Sequence, residues 1–462
     1  MSSAYKKYFG DRDFYRHTLE IAVPIMIQNG FSNFVGMLDN IMVGRVGAVE
    51  MTGVAIANTL FFVFNLMIFG AISGIGIFGA QYYGKNDIKG VRDTFRFKVL
   101  CCTVIALAGI LFFYFFGGTL VHGYLQGDGD VTDLEGSFRY GMEYMRIMLI
   151  GLLPFAVSQI YASTLRETGE TLLPMKAGIA AVLVNLLLNT VLIFGYCGFP
   201  KLGVAGAAIA TVISRFVEAA IVMLATHRRK DRFRYIVGAY RSLKVPKSLA
   251  VEIIKKGLPL VMNETLWAGS LAMINRQYSL VSYYAVSAAN ISSAIVNVFN
   301  VSFIAMGNAI GIIVGQKLGA GDNEGAVDSQ RKLTVLSLIL CIFFGGALAG
   351  VSGVFPLIYK TSDNVRSMAT TFIQISACCM PIGAYANASY FTLRSGGKTL
   401  ITILFDSCYE WIIVVPTAIL LTSFTSISIV NLYAVCQFVA IGKCIIGFFM
   451  VRSKIWIQNI SV

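Results

Sequence analysis

The 462-residue sequence is 56% hydrophobic and only 13% charged, with a mean hydropathy of +0.71, which excludes a soluble globular chain and places most of it in lipid. The net charge of +13 would suit nucleic acid only if the basic residues gathered on a soluble face, and a chain this apolar has little such surface. Nine cysteines, mostly inside apolar runs, give neither a disulfide framework nor a metal-binding spacing. The three histidines, His17, His122 and His227, stand apart from one another.

A spanning helix takes roughly 20 apolar residues. Twelve stretches long enough to span fall at about 17–43, 51–79, 97–121, 139–163, 172–195, 203–226, 255–279, 283–314, 333–358, 367–392, 399–421 and 427–450. The first follows Lys6, Lys7, Arg12 and Arg16, is long and lacks a small-residue cleavage site, so it reads as a retained helix rather than a signal peptide. The N-terminus, the connections after even-numbered stretches and the C-terminus hold 29 of the 37 Lys and Arg residues, which predicts that both termini are cytoplasmic. The connection after the third stretch carries Asp128, Asp130, Asp133 and Glu135 and is expected outside.

Ten of those basic residues lie between His227 and Lys256, a poorly apolar segment near the middle of the chain. The predicted organisation is therefore a six-helix lobe over 1–226, a basic cytoplasmic linker over 227–254 and a second six-helix lobe over 255–462. The halves are related in sequence. Adding 235 carries Pro24 to Pro259, Phe64-Asn65 to Phe299-Asn300, Gln81 to Gln316, Gly84 to Gly319 and Asp93 to Asp328, and an offset of 228 carries Leu165-Arg166 to Leu393-Arg394. Each half starts on the same side, so the repeats are parallel and related by an axis along the membrane normal, with sites expected near mid-depth. The Gly-Asp loops at 84–93 and 319–328 read as paired polar connectors.

A carboxylate in lipid needs a partner or a wet cavity, so every intramembrane acid is a functional candidate. Asp39 lies toward the outer end of the first stretch, where a helix cap or interface position is equally compatible with it. Asn185 and Asn189 are four apart and share one helix face, with Thr211 on the next stretch; interhelical hydrogen bonding and a polar chamber beside Asp39 both fit. Glu264 lies eight residues beyond Lys256, about 12 Å into a hydrocarbon core of roughly 30 Å. That depth points to a proton carrier or a counter-charge for a cationic substrate, with Trp267 one turn away and able to stack on such a cation. Asp406 and Glu410, four apart on the eleventh stretch, cannot both be ionised and unpaired, so they require a shared proton, a bound cation or a basic partner. Arg215 with Glu218 and Arg146 with Glu143 are expected to form structural ion pairs one turn apart.

The sequence resembles the multidrug and toxic compound extrusion (MATE) family from about Ile21 to about Phe448. The resemblance is carried by Asp39-Asn40-Ile41-Met42-Val43-Gly44-Arg45 with Gly47, by Asn185 through Asn189 to Gly195, and by Gly198-Phe199-Pro200 and Gly203-Val204-Ala205-Gly206-Ala207-Ala208 with Ala210-Thr211. Leu165-Arg166 with Gly169, Leu393-Arg394 with Gly396-Gly397, and Trp411 with Pro416 also match family positions. The resemblance implies an all-α integral membrane protein, with twelve transmembrane helices in two six-helix lobes forming a V-shaped cleft. It implies an antiporter, not an enzyme, that exports small organic cations or drugs in exchange for H+ or Na+. On that basis Asp39, Asn185, Asn189 and Thr211 match the first-lobe cation and proton site, and Glu264 matches the second-lobe acid of one branch. That branch also has an aspartate on helix 10, where this chain has Gly383, with Glu410 the acid able to compensate; at 189 some members have Asp. The implied protein is a monomer in the cell membrane, surrounded by lipid, needing no cofactor beyond its coupling ion and binding no nucleic acid. A lipid-linked oligosaccharide flippase of related architecture is the nearest alternative and would need a cleft lined with Arg and Lys. A major facilitator protein lacks support in the loop from Gly84 to Lys89, and a polytopic prenyl transferase would need clustered metal-binding acids.

Overall fold

A computed structural model describes residues 7–125, 131–282, 284–359 and 361–460; the expected outer-loop acids Asp128 and Asp130 lie outside them. Twelve helical segments follow one another as the apolar stretches require: α1 Arg12–Gly44, α2 Ala48–Gly84, α3 Ile88–Tyr124, α4 Val131–Ile150 continued by Leu152–Glu167, α5 Leu172–Phe194, α6 Gly203–Arg228, α7 Lys247–Val281, α8 Ala285–Gly319, α9 Asn323–Val351, α10 Asp363–Ser395, α11 Thr399–Phe424 and α12 Ile429–Arg452. Among the described residues nine helices are long and apolar enough to cross a membrane, and α4, bent by 48° at Gly151, is a tenth. The bend falls just before Pro154, whose ring cannot donate into the preceding turn. Helices α1 and α7 are outside that group, α7 because Asn263 and Glu264 interrupt its apolar run. Large apolar side chains such as Phe115, Phe343 and Phe424 remain exposed on the helices, the pattern of surfaces solvated by lipid rather than water.

The chain packs as two compact units, Ile27–Gly79 with Ile88–Val251, and Met1–Met26 with Ala80–Asp87 and Glu252–Val462. In the first, α5 packs along α6, and α4 lies against both α3 and α6. The segment after α6 folds back on the start of α3. Arg96 donates to the carbonyls of Gly238 (2.8 Å) and Ala239 (2.9 Å), Arg92 donates to that of Tyr235 (3.2 Å), and the hydroxyls of Tyr161 and Tyr240 are 2.6 Å apart. The basic linker is thus ordered by arginines spending their donors on its backbone carbonyls.

In the second unit α8 and α10 pack along each other with α9 against both, over a core that includes Ile21, Ala22 and Ile25 from the start of α1 together with Met306, Ile310, Phe391, Phe405 and Trp456. The end of α2 crosses the end of α8 here with a local twofold relation. A Cβ on Gly84 would fall on the carbonyl of Gln316, and a Cβ on Gly319 would fall on the carbonyl of Gln81. These are the positions that the 235-residue offset equates, so one repeat places glycines where its two copies must touch backbone to backbone. The buried Gln81 side chain also donates to Ser395 O (3.0 Å) and Gln458 O (3.1 Å) and accepts from Ile460 N (2.7 Å), which holds the segment after α12 against the ends of α2 and α10. At the paired connectors, Asp322 caps α9 by accepting from Gly325 N at 2.8 Å.

One buried ion pair is not anticipated by the sequence. Lys98, with no exposed surface, sits inside α3 with Nζ 2.6 and 2.7 Å from the two carboxylate oxygens of Glu167 and 3.1 Å from both the Ser163 and Thr164 hydroxyls. Gly76 and Gly79 on α2 leave the space that the Glu167 carboxylate occupies. Helices α2, α3 and α4 are thereby tied at one point, and neither charge is left unpaired. Lys98→Ala is expected to cost about 3–5 kcal/mol, because Glu167 then remains as an uncompensated buried charge. Lys98→Met combined with Glu167→Gln should recover much of that loss. Thermal unfolding of the purified variants in detergent measures this, and a single variant as stable as the parent would contradict it.

Candidate functional site within the membrane spans

The first-half candidates converge on one cluster. Asp39, five residues before the end of α1, receives Asn189 Nδ2 on Oδ1 at 2.6 Å. The one-turn spacing of Asn185 and Asn189 on α5 does place both amides together, 3.1 Å apart, and Thr211 on α6 lies 3.2 Å from the Asn185 amide. Turning the Asn185 amide to suit its neighbours puts its nitrogen 3.0 and 3.1 Å from the two Asp39 oxygens while its oxygen accepts from Thr211 at 3.2 Å. Ala207 O, at 3.0 Å, is the alternative acceptor for the Thr211 hydroxyl proton.

Two properties follow. Among the described residues no Lys, Arg or His stands within ion-pair distance of Asp39, so its charge is met by amide dipoles alone. Asn189 Oδ1 is buried without a donor, so an acceptor oxygen stands in the same cluster as the carboxylate. A carboxylate, an unsatisfied amide oxygen and a threonine hydroxyl form a set that suits a proton or a small hard cation.

In the second half the acids divide into two environments. Glu264 on α7 accepts from the Tyr390 hydroxyl of α10 at 3.2 Å, and among the described residues no Lys, Arg or His is within ion-pair distance of it. Arg394 is close enough to act on it through space, but its guanidinium lies over the Phe391 ring, 4.9 Å from the centroid, with Nη1 buried and unpartnered. At Gly383, the position where the resemblance leads one to look for a helix 10 acid, a Cβ would meet only the Phe303 ring, so α10 contributes the Tyr390 hydroxyl in place of a charge.

Asp406 and Glu410 on α11 have a basic partner, the possibility that sequence spacing left open. Lys443 of α12 bridges them, with Nζ 2.9 Å from Asp406 Oδ1 and 2.8 Å from Glu410 Oε1. Asp406 Oδ2 accepts from Asn263 Nδ2 at 2.9 Å, and Asn263 Oδ1 accepts from the Ser407 hydroxyl at 2.7 Å. Glu410 therefore does not compensate for the missing helix 10 acid beside Glu264, because its carboxylate is engaged by Lys443. Helix α11 is wound as π-helix over Leu404–Cys408 and Glu410–Val414, a rare geometry that recurs at functional sites.

Other expectations are corrected. The one-turn pairs Arg215 with Glu218 and Arg146 with Glu143 do not close at ion-pair distance. Arg215 instead reaches the Gly151 carbonyl, which also accepts from Phe155 N, at 3.4 Å and lies over the Phe155 ring. Trp267 is partly exposed beside the site, while Trp411 Nε1 donates to Leu266 O at 2.8 Å. Asn263, Tyr390 and Lys443 were missed by sequence reading. A lysine interrupting the final apolar stretch was the available signal, and charge counting absorbed it among the flanking residues.

The MatE family model matches residues 24–191 and 259–420, one copy in each half. The chain is 26% identical over 428 residues to the probable multidrug resistance protein YoeA of Bacillus subtilis, covering 89% of this chain and 88% of that one. It is 25% identical over 426 residues to the probable multidrug resistance protein NorM of Thermotoga maritima, covering 90% and 87%. An outward-facing multidrug resistance MATE family transporter of the MOP superfamily superposes with a TM-score of 0.87 at 15% identity over 98% of both chains. A MOP superfamily transporter from Pyrococcus furiosus, described as having a binding pocket of reverse polarity that suggests a different function, superposes with a TM-score of 0.84 at 15% identity over 98% of both chains. With the matched model covering most of the chain and the same fold recurring across its whole length, this multi-pass membrane protein belongs to the MatE family of multidrug and toxic compound extrusion transporters.

Proposed function

We propose that the protein is a secondary active multidrug efflux antiporter that exports small organic cations across the cell membrane in exchange for H+ or Na+. The observation that carries this reading is the Asp39 carboxylate, held by the amides of Asn185 and Asn189 with no basic residue at ion-pair distance among the described residues. Such a group in lipid is satisfied only by a proton or a cation. Asp39, Asn185, Asn189 and Thr211 form the coupling site. Glu264, backed by Asp406 and Glu410, gives the second half its negative charge and takes the substrate cation or the coupling ion in turn. The sign of the charge favours cations over the anionic pyrophosphate of an oligosaccharide carrier: the four acids of the two clusters are countered at contact distance by Lys443 alone among the described residues. The halves 1–226 and 255–462 act as the two moving lobes, joined by the linker 227–254, in a monomer with both termini cytoplasmic.

Transport of a fluorescent organic cation into everted vesicles tests the reading, with the pH gradient and the sodium gradient collapsed separately. Export is expected to stop with one of the two, and transport indifferent to both would refute antiport. Topology has its own check. A single cysteine placed in the 227–254 linker is expected to resist an impermeant thiol reagent outside intact cells and to react in everted vesicles; the opposite pattern would reverse the orientation.

A further inference from the structure

Lys443 is seated with unusual care for a lysine in lipid. Helix α12 breaks at Val439, whose carbonyl takes the Tyr409 hydroxyl at 2.7 Å, and a Cβ at Gly442 would fall on that same hydroxyl. The break and the glycine bring α12 onto α11 one turn before Lys443, whose ammonium then reaches two carboxylates and lies 5.7 Å from the Tyr409 ring centroid. Only 8% of the side chain is exposed. The π-helical winding of α11 widens its turns where Asp406 and Glu410 must face one point. Two carboxylate oxygens converging on one position are the donors a hard cation takes. Here that position is filled by the chain's own ammonium.

We propose that Lys443 is a tethered cation that occupies a two-carboxylate site on α11 and thereby makes that site unavailable to free sodium, leaving Glu264 as the exchangeable carboxylate of this cluster. The proposal rests on the antiport reading of the same acids and deepens it by assigning ion selectivity. A merely structural ion pair would also hold α11 to α12, but its loss would destabilise the protein equally in every salt. Loss of a tethered surrogate leaves two facing carboxylates that a small cation can replace it on.

The measurement is thermal unfolding of purified protein at pH 8 in sodium chloride against N-methyl-D-glucamine chloride at equal ionic strength, in an Asp39→Asn background so that the first-half cluster does not respond. With Lys443 present the two salts should give the same midpoint. Lys443→Met should show a midpoint that rises with sodium and saturates, as ligand linkage requires, at sodium concentrations at least about tenfold below any at which the background protein responds. Adding Asp406→Asn should remove the rise. Lys443→Arg, which keeps the charge, should behave as the parent does. If Lys443→Met fails to fold without sodium but folds with it, the proposal is supported. Failure to fold in both salts, equal midpoints in both, or a sodium response already present with Lys443 in place would each overturn it. Efflux by Asp39→Asn and Glu264→Gln in vesicles reports separately on the antiport reading.

Discussion

Asp39→Asn is expected to abolish gradient-driven efflux while leaving expression, folding and helix packing intact. The substitution keeps the shape of the side chain and removes its charge. The amide retains an oxygen for Asn189 Nδ2, now 2.6 Å from Asp39 Oδ1, so the packing of α1 on α5 should survive, although a charge-assisted hydrogen bond becomes a neutral one. What cannot survive is the exchange of a proton or cation on that oxygen. Because no arginine, lysine or histidine among the described residues neutralises Asp39 at contact distance, its charge state is free to follow the coupling ion. The initial rate of cation export into energised everted vesicles should fall by at least about tenfold, a loss worth about 1.4 kcal/mol or more in the coupled step. Asn189→Ala should weaken the same process less, since Asn185 still reaches both carboxylate oxygens in its favoured orientation. Active efflux by Asp39→Asn at the parental rate would remove Asp39 from the mechanism.

The second large effect is expected at Glu264. A proton and an organic cation compete for one carboxylate, so binding of a monovalent cation should weaken as pH falls, approaching about tenfold per pH unit once the protonated form dominates. Protonation favours the unliganded state and the charged form favours the liganded one, so acid should release the substrate and never promote its binding. Glu264→Gln should lower affinity and flatten the pH dependence. Tyr390 can still donate to the glutamine oxygen as it does to Glu264 Oε1 at 3.2 Å, so the variant tests charge rather than packing. Asp406 and Glu410 do not replace it, since Lys443 lies on both. Equilibrium binding of a fluorescent monovalent cation to the purified protein between pH 5 and pH 8 gives both quantities. Parental affinity with parental pH dependence in the variant would make Glu264 structural and leave Asp39 as the sole exchanging acid.

The sequence by itself determined the membrane class, the succession of twelve helices, the repeat and the shared face of the first-half amides. Each of these is encoded in one dimension. Apolar length specifies a span because backbone groups in lipid must be satisfied within the helix, and the 235-residue offset reports the repeat directly. The i, i+4 spacing of Asn185 and Asn189 puts two amides on one face whatever the helix packs against. Only the tertiary structure decided what each charge meets. Lys98 finds Glu167 across 69 residues, Lys443 finds Asp406 and Glu410 across 37 and 33, and Tyr390 finds Glu264 across 126. Arg215 stays beyond ion-pair distance of Glu218 one turn away and reaches a carbonyl 64 residues distant. In a low dielectric an unpaired charge is so unfavourable that helices pack to bring distant partners together, and the strongest pairings are then the ones least visible in local sequence. The same physics separates the second-half acids: all carboxylates within the membrane, they differ in that Asp406 and Glu410 share a lysine, whereas Glu264 accepts from a tyrosine hydroxyl and has no lysine, arginine or histidine at ion-pair distance among the described residues.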